Sequence, residues 1–415
     1  TFTAGKLVSA SPAIITKARG AFNGRVLCIV TDVGEAFYFD PSEPDELLSI
    51  VQITDPDFPV AVFDVVYKDT YFIWLDSATD RFYISESYSE DPANCVNSLD
   101  FGTIESNPDP IKGVIGVGNE IAIFGSETIE YFYNSGDVDF PFERNSGVTQ
   151  EIGLLNRESL NKINNEIYFL GSNQSGYGII YRLNGYKPER ISTNAIEESI
   201  ASFVNESVYS YTYKGVGGYF YVIRFEESRI SYQYNVTNGL WSEISNPQND
   251  DDKYYYTVKN HVFAYNKNMF VDMWSVDPFG YFVIAELSED YYKYTYIDKN
   301  LGVLHEYNVN RLVETRHITS ENKNIQYNYF EMDIQKGVGN VDDPDPEITL
   351  SISRDGGMTY GKPITLKMGK SGSYKQRVRA DMLGTARDAV FKLESSSPVQ
   401  QEWFSAYIDY EVMSE

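Results

Sequence analysis

Cysteine and histidine are almost missing from this chain: two of the first and three of the second in 415 residues. Cys28 and Cys95 cannot build a disulfide framework, and so sparse a use points to a reducing compartment rather than a secreted one. His261, His305 and His317 show neither H-x-E nor H-E-x-x-H spacing, which argues against a histidine metal site or a catalytic triad. Basic residues are outnumbered, 34 against 60 acidic, for a net charge of −26. An excess of that sign matches tight duplex binding poorly, because phosphates need clustered Lys and Arg. It suits solubility, or a wall past which DNA slides without sticking. No uninterrupted apolar run approaches the ~18 residues that suggest a membrane span. The opening "TFTAGKLVSASP" has no signal-peptide core and no Met, so the chain is expected to be processed or to lack part of its N-terminus. "NDDDK" (Asn249 to Lys253) and "DDPD" (Asp342 to Asp345) lack the spaced ligands of an EF-hand and read as solvated acidic loops. No cofactor and no metal is implied.

Aromatic residues, by contrast, are abundant. There are 34 Tyr and 24 Phe, both strand-favouring, with 30 Gly and 16 Pro to supply turns. That composition predicts an all-β protein. The length suggests two or three domains, and a hydrophobic content of 42% suffices for their cores. Short apolar strand starts recur: "RVLCIV", "TYFIWL", "EIAIFG", "EIYFLG", "GYFYVI" and "NMFVDM". Their second residues are Val26, Tyr71, Ile121, Ile167, Tyr219 and Met269, separated by 45, 50, 46, 52 and 50 positions. A second strand-like run follows each start: "AFYFD", "RFYIS", "IEYFY", "IIYRL", "ISYQY" and "YFVIAE". Turn residues precede several, at Lys68-Asp69, Gly118-Asn119, Asn164-Asn165 and Asn266-Lys267. "GVIGVG" (Gly113 to Gly118) leads into a strand, not a helix, so it reads as a turn of this repeat and not as a dinucleotide fingerprint. A strand–turn–strand unit at this period predicts a β-propeller of about six blades over residues 1–290. A set of β-sandwiches with coincidental spacing is the alternative. One helix is expected in "TNAIEESIASF", capped by Asn194, with Glu197 at its third position and Ile196, Ile200 and Phe203 on one face. From Tyr291 the rhythm fails. Residues 291–317 read as a crossover and 318–415 as a C-terminal β-sandwich-like domain, in which "YFEMDIQKG" and "EITLSIS" could pair across the loop "GNVDDPDPE".

Two features of that second domain invite a functional reading. Ser353-Arg354-Asp355-Gly356-Gly357-Met358-Thr359-Tyr360 has the Asp-box spacing S-x-D-x-G-x-T-aromatic. The pattern is known from sialidases, sugar-cleaving propellers in which the boxes recur across blades, away from the catalytic centre. Ser353, Asp355, Gly357, Thr359 and Tyr360 are expected to tie a hairpin: the carboxylate accepts loop N–H groups, glycine supplies positive φ, and the aromatic packs beneath. A sialidase-like site would further need an arginine cluster beside a tyrosine and an acid, and no such grouping stands out. The second feature is charge. Lys362, Lys367, Lys370, Lys375, Arg377, Arg379, Arg387 and Lys392 face only Asp381 and Asp388, a local +6 that leaves −32 for the rest. The plain reading is edge-strand lysines that block aggregation; the sharper one is an assembly interface for an acidic partner.

Longer stretches carry a resemblance. "IKGVIGVGNEIAIFGSETIEYF" (Ile111 to Phe132), "YNSGDVDFPFER", "YRLNGYKPERISTNAIE" (Tyr181 to Glu197) and "SRDGGMTYGKPITLKMGKSGSYKQRVRADMLGTARDAVFKLESSSPV" resemble the packaged-DNA stabilisation proteins of short-tailed phages, also called tail hub or tail nozzle proteins. The last run matches the family's D-G-x-x-Y/W-G hairpin, basic strand, L-G-x-x-R turn and S-x-P strand end at Asp355, Gly356, Tyr360, Gly361, Arg377, Arg379, Gly384, Arg387 and Pro398. The resemblance covers nearly the whole chain. It departs at the start, where family members open with a longer segment before the "SASPAI"-like stretch.

The resemblance implies a structural, non-enzymatic virion protein of the phage tail, made in the host cytoplasm. Copies, usually six, form a ring below the portal and its adaptor. That ring extends the DNA channel, retains the genome, carries fibre, spike or needle proteins and takes part in ejection. DNA passes without sequence-specific binding, along a channel face expected to be acidic. Ring contacts would be head to tail, with the basic segment facing the adaptor or a neighbouring copy. The rival is a glycan-binding or sialidase-like propeller, resting on one Asp-box and the many tyrosines. A protein-binding propeller of the host cell is the third possibility.

Overall fold

The computed structural model describes residues 17–413, except for 45–48, 105–108, 174–175, 204–205, 246–255, 257, 265, 273–282, 287–291 and 298–303. The "SASPAI" stretch and "NDDDK" lie outside the described residues. The chain divides into two compact units, Thr1–Ser242 and Glu243–Glu415.

The first unit contains five successive antiparallel sheets among the described residues. The first is built from Ala18–Phe22, Leu27–Thr31, Ala36–Phe39 and Ile50–Gln52. The second runs from Val62–Lys68 to Val96–Thr103, the third from Ile111–Val117 to Phe142–Arg144. The fourth spans Gly153–Leu154 to Lys187–Arg190, the fifth Val208–Gly215 to Leu240–Glu243. Each of the first five apolar starts lies in the second strand of its sheet, and the run that follows it in the third.

The packing explains why those second strands are almost wholly apolar. Side chains of a strand alternate between its two faces. On Tyr71–Asp76, Phe72 and Trp74 join a core shared with the first sheet, while Ile73 and Leu75 join one shared with the third. On Glu120–Gly125, Ile121 and Ile123 face the second sheet, and Ala122 and Phe124 the fourth. On Glu166–Asn173, Ile167 and Phe169 face the third sheet, and Tyr168 and Leu170 the fifth. Strands covered on both faces read as continuous hydrophobic runs. The hairpins before them turn through left-handed residues, among them Asp69 and Thr70 (φ +48° and +79°), Gly118 (φ +54°) and Asn164 (φ +56°). This radial stacking of meander sheets is the propeller architecture.

One helix, Asn194–Ala201, joins the fourth and fifth sheets. Its cap is Thr193, not Asn194: the Thr193 hydroxyl accepts the Ile196 N–H at 3.4 Å. Asn194 is drawn away, accepting from Arg190 at 2.8 Å, and Glu197 bonds Arg190 and Ser192. Ile196 and Ile200 are buried as expected; Phe203 lies past the helix end but packs against the same core.

In the second unit, Val258–Ala264, Lys267–Asp272 and Val283–Glu286 form a three-stranded sheet containing the sixth apolar start. The stretch read as a crossover holds a hairpin, Lys293–Ile297 with Leu304–Asn308, and the strand Arg311–Glu314. A sandwich follows. One sheet has the order Arg311–Glu314, Asp388–Ser395, Glu347–Ser353, Ile364–Lys367, with Ile318–Thr319 also on Asp388–Ser395. The other has the order Val378–Ala386, Ile325–Ile334, Trp403–Val412. The strands of "YFEMDIQKG" and "EITLSIS" therefore do not pair. Ile325–Ile334 and Glu347–Ser353 lie in opposite sheets, because the Pro-rich loop leads from one sheet to the other, and Phe330 and Leu350 belong to the core they share.

Candidate functional site

The Asp-box joins Glu347–Ser353 to Ile364–Lys367. The Ser353 hydroxyl accepts the Gly357 N–H at 2.8 Å and donates to Asp355 at 2.6 Å. Asp355 accepts the Thr359 N–H at 2.9 Å and the Thr359 hydroxyl at 2.6 Å. Gly356 and Gly357 turn at φ +70° and +87°, where a side chain would be strained. Tyr360 bridges back to Ser353, donates its hydroxyl to Glu314 at 3.0 Å, and carries the Lys392 ammonium 4.7 Å over its ring. Hydrogen bonds from Ser353 and then Thr359 hold the Asp355 carboxyl down to about 2. Both of its oxygens are occupied within the turn, so the chemistry available is that of a tie.

The basic segment is spread along one flank of the sandwich. Ile364–Lys367 and Val378–Ala386 are edge strands of opposite sheets and touch each other there. Lys367 pairs with Asp345 at 2.6 Å, Arg377 forks onto Glu331 with its Nε at 2.9 Å, and Arg379 bonds Asp381 at 2.7 Å and stacks 3.7 Å over Tyr329. Lys392 pairs with Glu394 at 3.2 Å, on the central strand Asp388–Ser395. Lys362, Lys370, Lys375 and Arg387 are exposed and make no ion pair among the described residues. Lys362 and Arg387 sit at the Asp-box end of the strands, Lys370 and Lys375 in the loop at the other end.

The remaining polar candidates do not converge. His317 pairs with Asp388 at 2.9 Å, His261 contacts Asn268 at 3.0 Å, and the His305 side chain lies outside the described residues. An open cavity of about 610 Å³ is bordered by Asp343, Asp345, Glu347 and Glu394. Lys367 and Lys392 already neutralise part of that acid. No cluster suited to a metal ion occurs among the described residues. Cys28 and Cys95 are free and buried in one core, where burial pushes both thiols up to about 12.

The structure adds an ionic cluster inside the first unit. Asp64, on the first strand of the second sheet, is wholly buried. It accepts the N–H groups of Val65 at 3.0 Å and Val114 at 2.9 Å, and two bonds from the Arg157 guanidinium, one at 2.9 Å. Arg157 belongs to the short 3-10 turn Arg157–Ser159. In the same turn Glu158 holds Arg19 of the first sheet, and the Ser159 carbonyl accepts the Tyr221 hydroxyl of the fifth at 2.8 Å. One turn thus ties together strands of all the other sheets of this unit.

Two family models match the chain. Residues 21–277 match "Bacteriophage P22 Gp10, beta-propeller" and residues 310–411 match "Bacteriophage P22 Gp10, beta-sandwich". No curated protein matches it. Similar solved structures include Kluyveromyces lactis Hsv2, 11% identical over 66% of this chain and 75% of that one, with a TM-score of 0.38. BamB from Moraxella catarrhalis is 9% identical over 61% and 79%, with a TM-score of 0.33. An exo-beta-1,3-galactanase from Phanerochaete chrysosporium is 11% identical over 86% and 98%, with a TM-score of 0.31. Likenesses this loose carry no argument about chemistry, sugar cleavage included.

Proposed function

The chain belongs to the bacteriophage P22 Gp10 family of packaged-DNA stabilisation proteins, structural proteins of the virion, and on that premise we propose that it is a tail hub. In this reading several copies, six by the resemblance, assemble as a ring below the portal and its adaptor. The ring prolongs the DNA channel, keeps the packaged genome in, and offers attachment to fibre, spike or needle proteins. The observation that carries the reading is the pair of family matches in order along one chain, propeller and then sandwich.

Three features support it. The Asp-box binds its own turn with both carboxylate oxygens of Asp355 engaged, as a structural tie does. A net charge of −26 makes the surface a weak partner for DNA phosphates, as a conduit requires. The sheets of the first unit are clamped by a buried ionic cluster and by cores on both faces of each inner sheet, a rigid scaffold. Particles assembled without this protein are expected to package DNA and then lose it. Filled heads that stay intact in its absence, counted by electron microscopy, would contradict the proposal.

A further inference from the structure

The sandwich has two lateral flanks of opposite character. One is the basic flank of Ile364–Lys367 and Val378–Ala386. Its residues Lys362 to Arg387 include seven basic side chains and the acid Asp381; Asp345 and Glu331 pair with Lys367 and Arg377, and Lys362, Lys370, Lys375 and Arg387 remain without an ion pair among the described residues. At the other end of each sheet's order lie Arg311–Glu314 and Trp403–Val412. Trp403–Val412 is ten residues long and pairs with Ile325–Ile334 along one edge; no strand pairs its other edge among the described residues. It is exposed on both faces for most of its length. Phe404, Tyr407 and Tyr410 are 63%, 60% and 49% exposed; Val412 and Met413 are open at the end of the strand, as are Leu312 and Val313 on Arg311–Glu314.

Natural edge strands of that length are usually blunted with lysine, proline or a covering loop, because bare N–H and C=O groups recruit other chains. This one has no lysine or proline, and no strand pairs its open edge among the described residues. Between Glu402 and Met413 there is no Lys, Arg or Pro, and the charges are Glu402, Asp409 and Glu411, all negative. A two-fold pairing of this edge with its own copy would set like charges near like. The basic flank presents the complementary sign, and it too is a pair of sheet edges.

We infer that the apolar, acidic Trp403–Val412 flank of one copy docks on the basic flank of a second copy, head to tail. The inference rests on the ring reading above and names its contact. Because the two surfaces differ and lie on opposite sides of the domain, the contact is heterologous and can close into a ring. Burying Phe404, Tyr407 and Tyr410 supplies the attraction, since aromatics dominate interface energetics. The unpaired Lys362, Lys375 and Arg387 set the register and reject the wrong edge.

The test uses the full-length protein and reads ring formation on the portal–adaptor complex by sedimentation. One variant carries Asp409→Lys and Glu411→Lys; the other carries Lys362→Glu, Lys375→Glu and Arg387→Glu. Each alone should assemble at least about tenfold less well than the wild type, because it sets like charge against like. An equimolar mixture should recover, since the reversed flank of each then meets the matching flank of the other. Rings formed by each variant alone, or no recovery in the mixture, overturn the contact while wild-type rings leave the hub reading standing. No wild-type ring overturns both. If the reversals unfold the sandwich, Tyr407→Ser tests the apolar half alone, and undiminished assembly counts against the contact.

Discussion

Two carboxylates in this protein, Asp355 and Asp64, show how differently a charge can serve. Asp355 stands at the surface and is held by its own turn. Its carboxyl is about 2 in the folded chain against an ordinary 3.8. A depressed carboxyl favours the folded state when ionised, so its contribution is present above about pH 4 and is lost as the pH falls toward 2. Chemical unfolding across that range should show Asp355→Asn less stable than wild type at pH 5, with the gap closing near pH 2. A gap that stays constant with pH would contradict this. Asp64 is wholly buried and depends on a distant cation. Arg157→Ala should cost about 3–5 kcal/mol, because it strands a buried charge, and thermal unfolding of the first unit would measure it. A loss below about 1 kcal/mol, the worth of a surface pair, would be the contrary result. The first tie was legible in the sequence, since all its members fall within eight residues. The second was not: Asp64 and Arg157 are 93 positions apart, and nothing local marks either as one of a pair.

At the scale of the element, legibility followed burial. The second strands of the inner sheets were recognisable because both of their faces are covered, leaving runs such as Phe72-Ile73-Trp74-Leu75 with no polar residue. The outer strands Ile50–Gln52, Lys187–Arg190 and Leu240–Glu243 carry no buried side chain and so only a weak apolar signature. Strand pairing was harder still. Ile325–Ile334 and Glu347–Ser353 look like a hairpin because they are neighbours in sequence, yet each is claimed by strands from further along the chain. The helix was found and its cap misplaced by one residue, since Thr193 and Asn194 are both good caps and only the neighbouring Arg190 separates them. Thr193→Ala should therefore cost about 1 kcal/mol of stability. Asn194→Ala should cost distinctly less by the same melting measurement, and equal losses would contradict the assignment.

At the scale of the whole molecule, the Asp-box and the buried ionic cluster serve their own turn and neighbouring sheets, while Lys362, Lys370, Lys375 and Arg387 stay exposed. Its Asp-box, buried ion pair and buried thiols hold structure. On the hub reading, function resides in what the surface joins, and composition hints at that only through charge. The basic segment from Lys362 to Lys392 was visible as a string. That its part from Lys362 to Arg387 lies along one flank of a sandwich, opposite an exposed aromatic edge, needed the fold. The most direct check of the hub reading is sedimentation velocity of the full-length protein, alone and mixed with the portal–adaptor complex of its phage. The account predicts that a ring of about six copies adds to the complex. Failure to associate under any salt condition would contradict it.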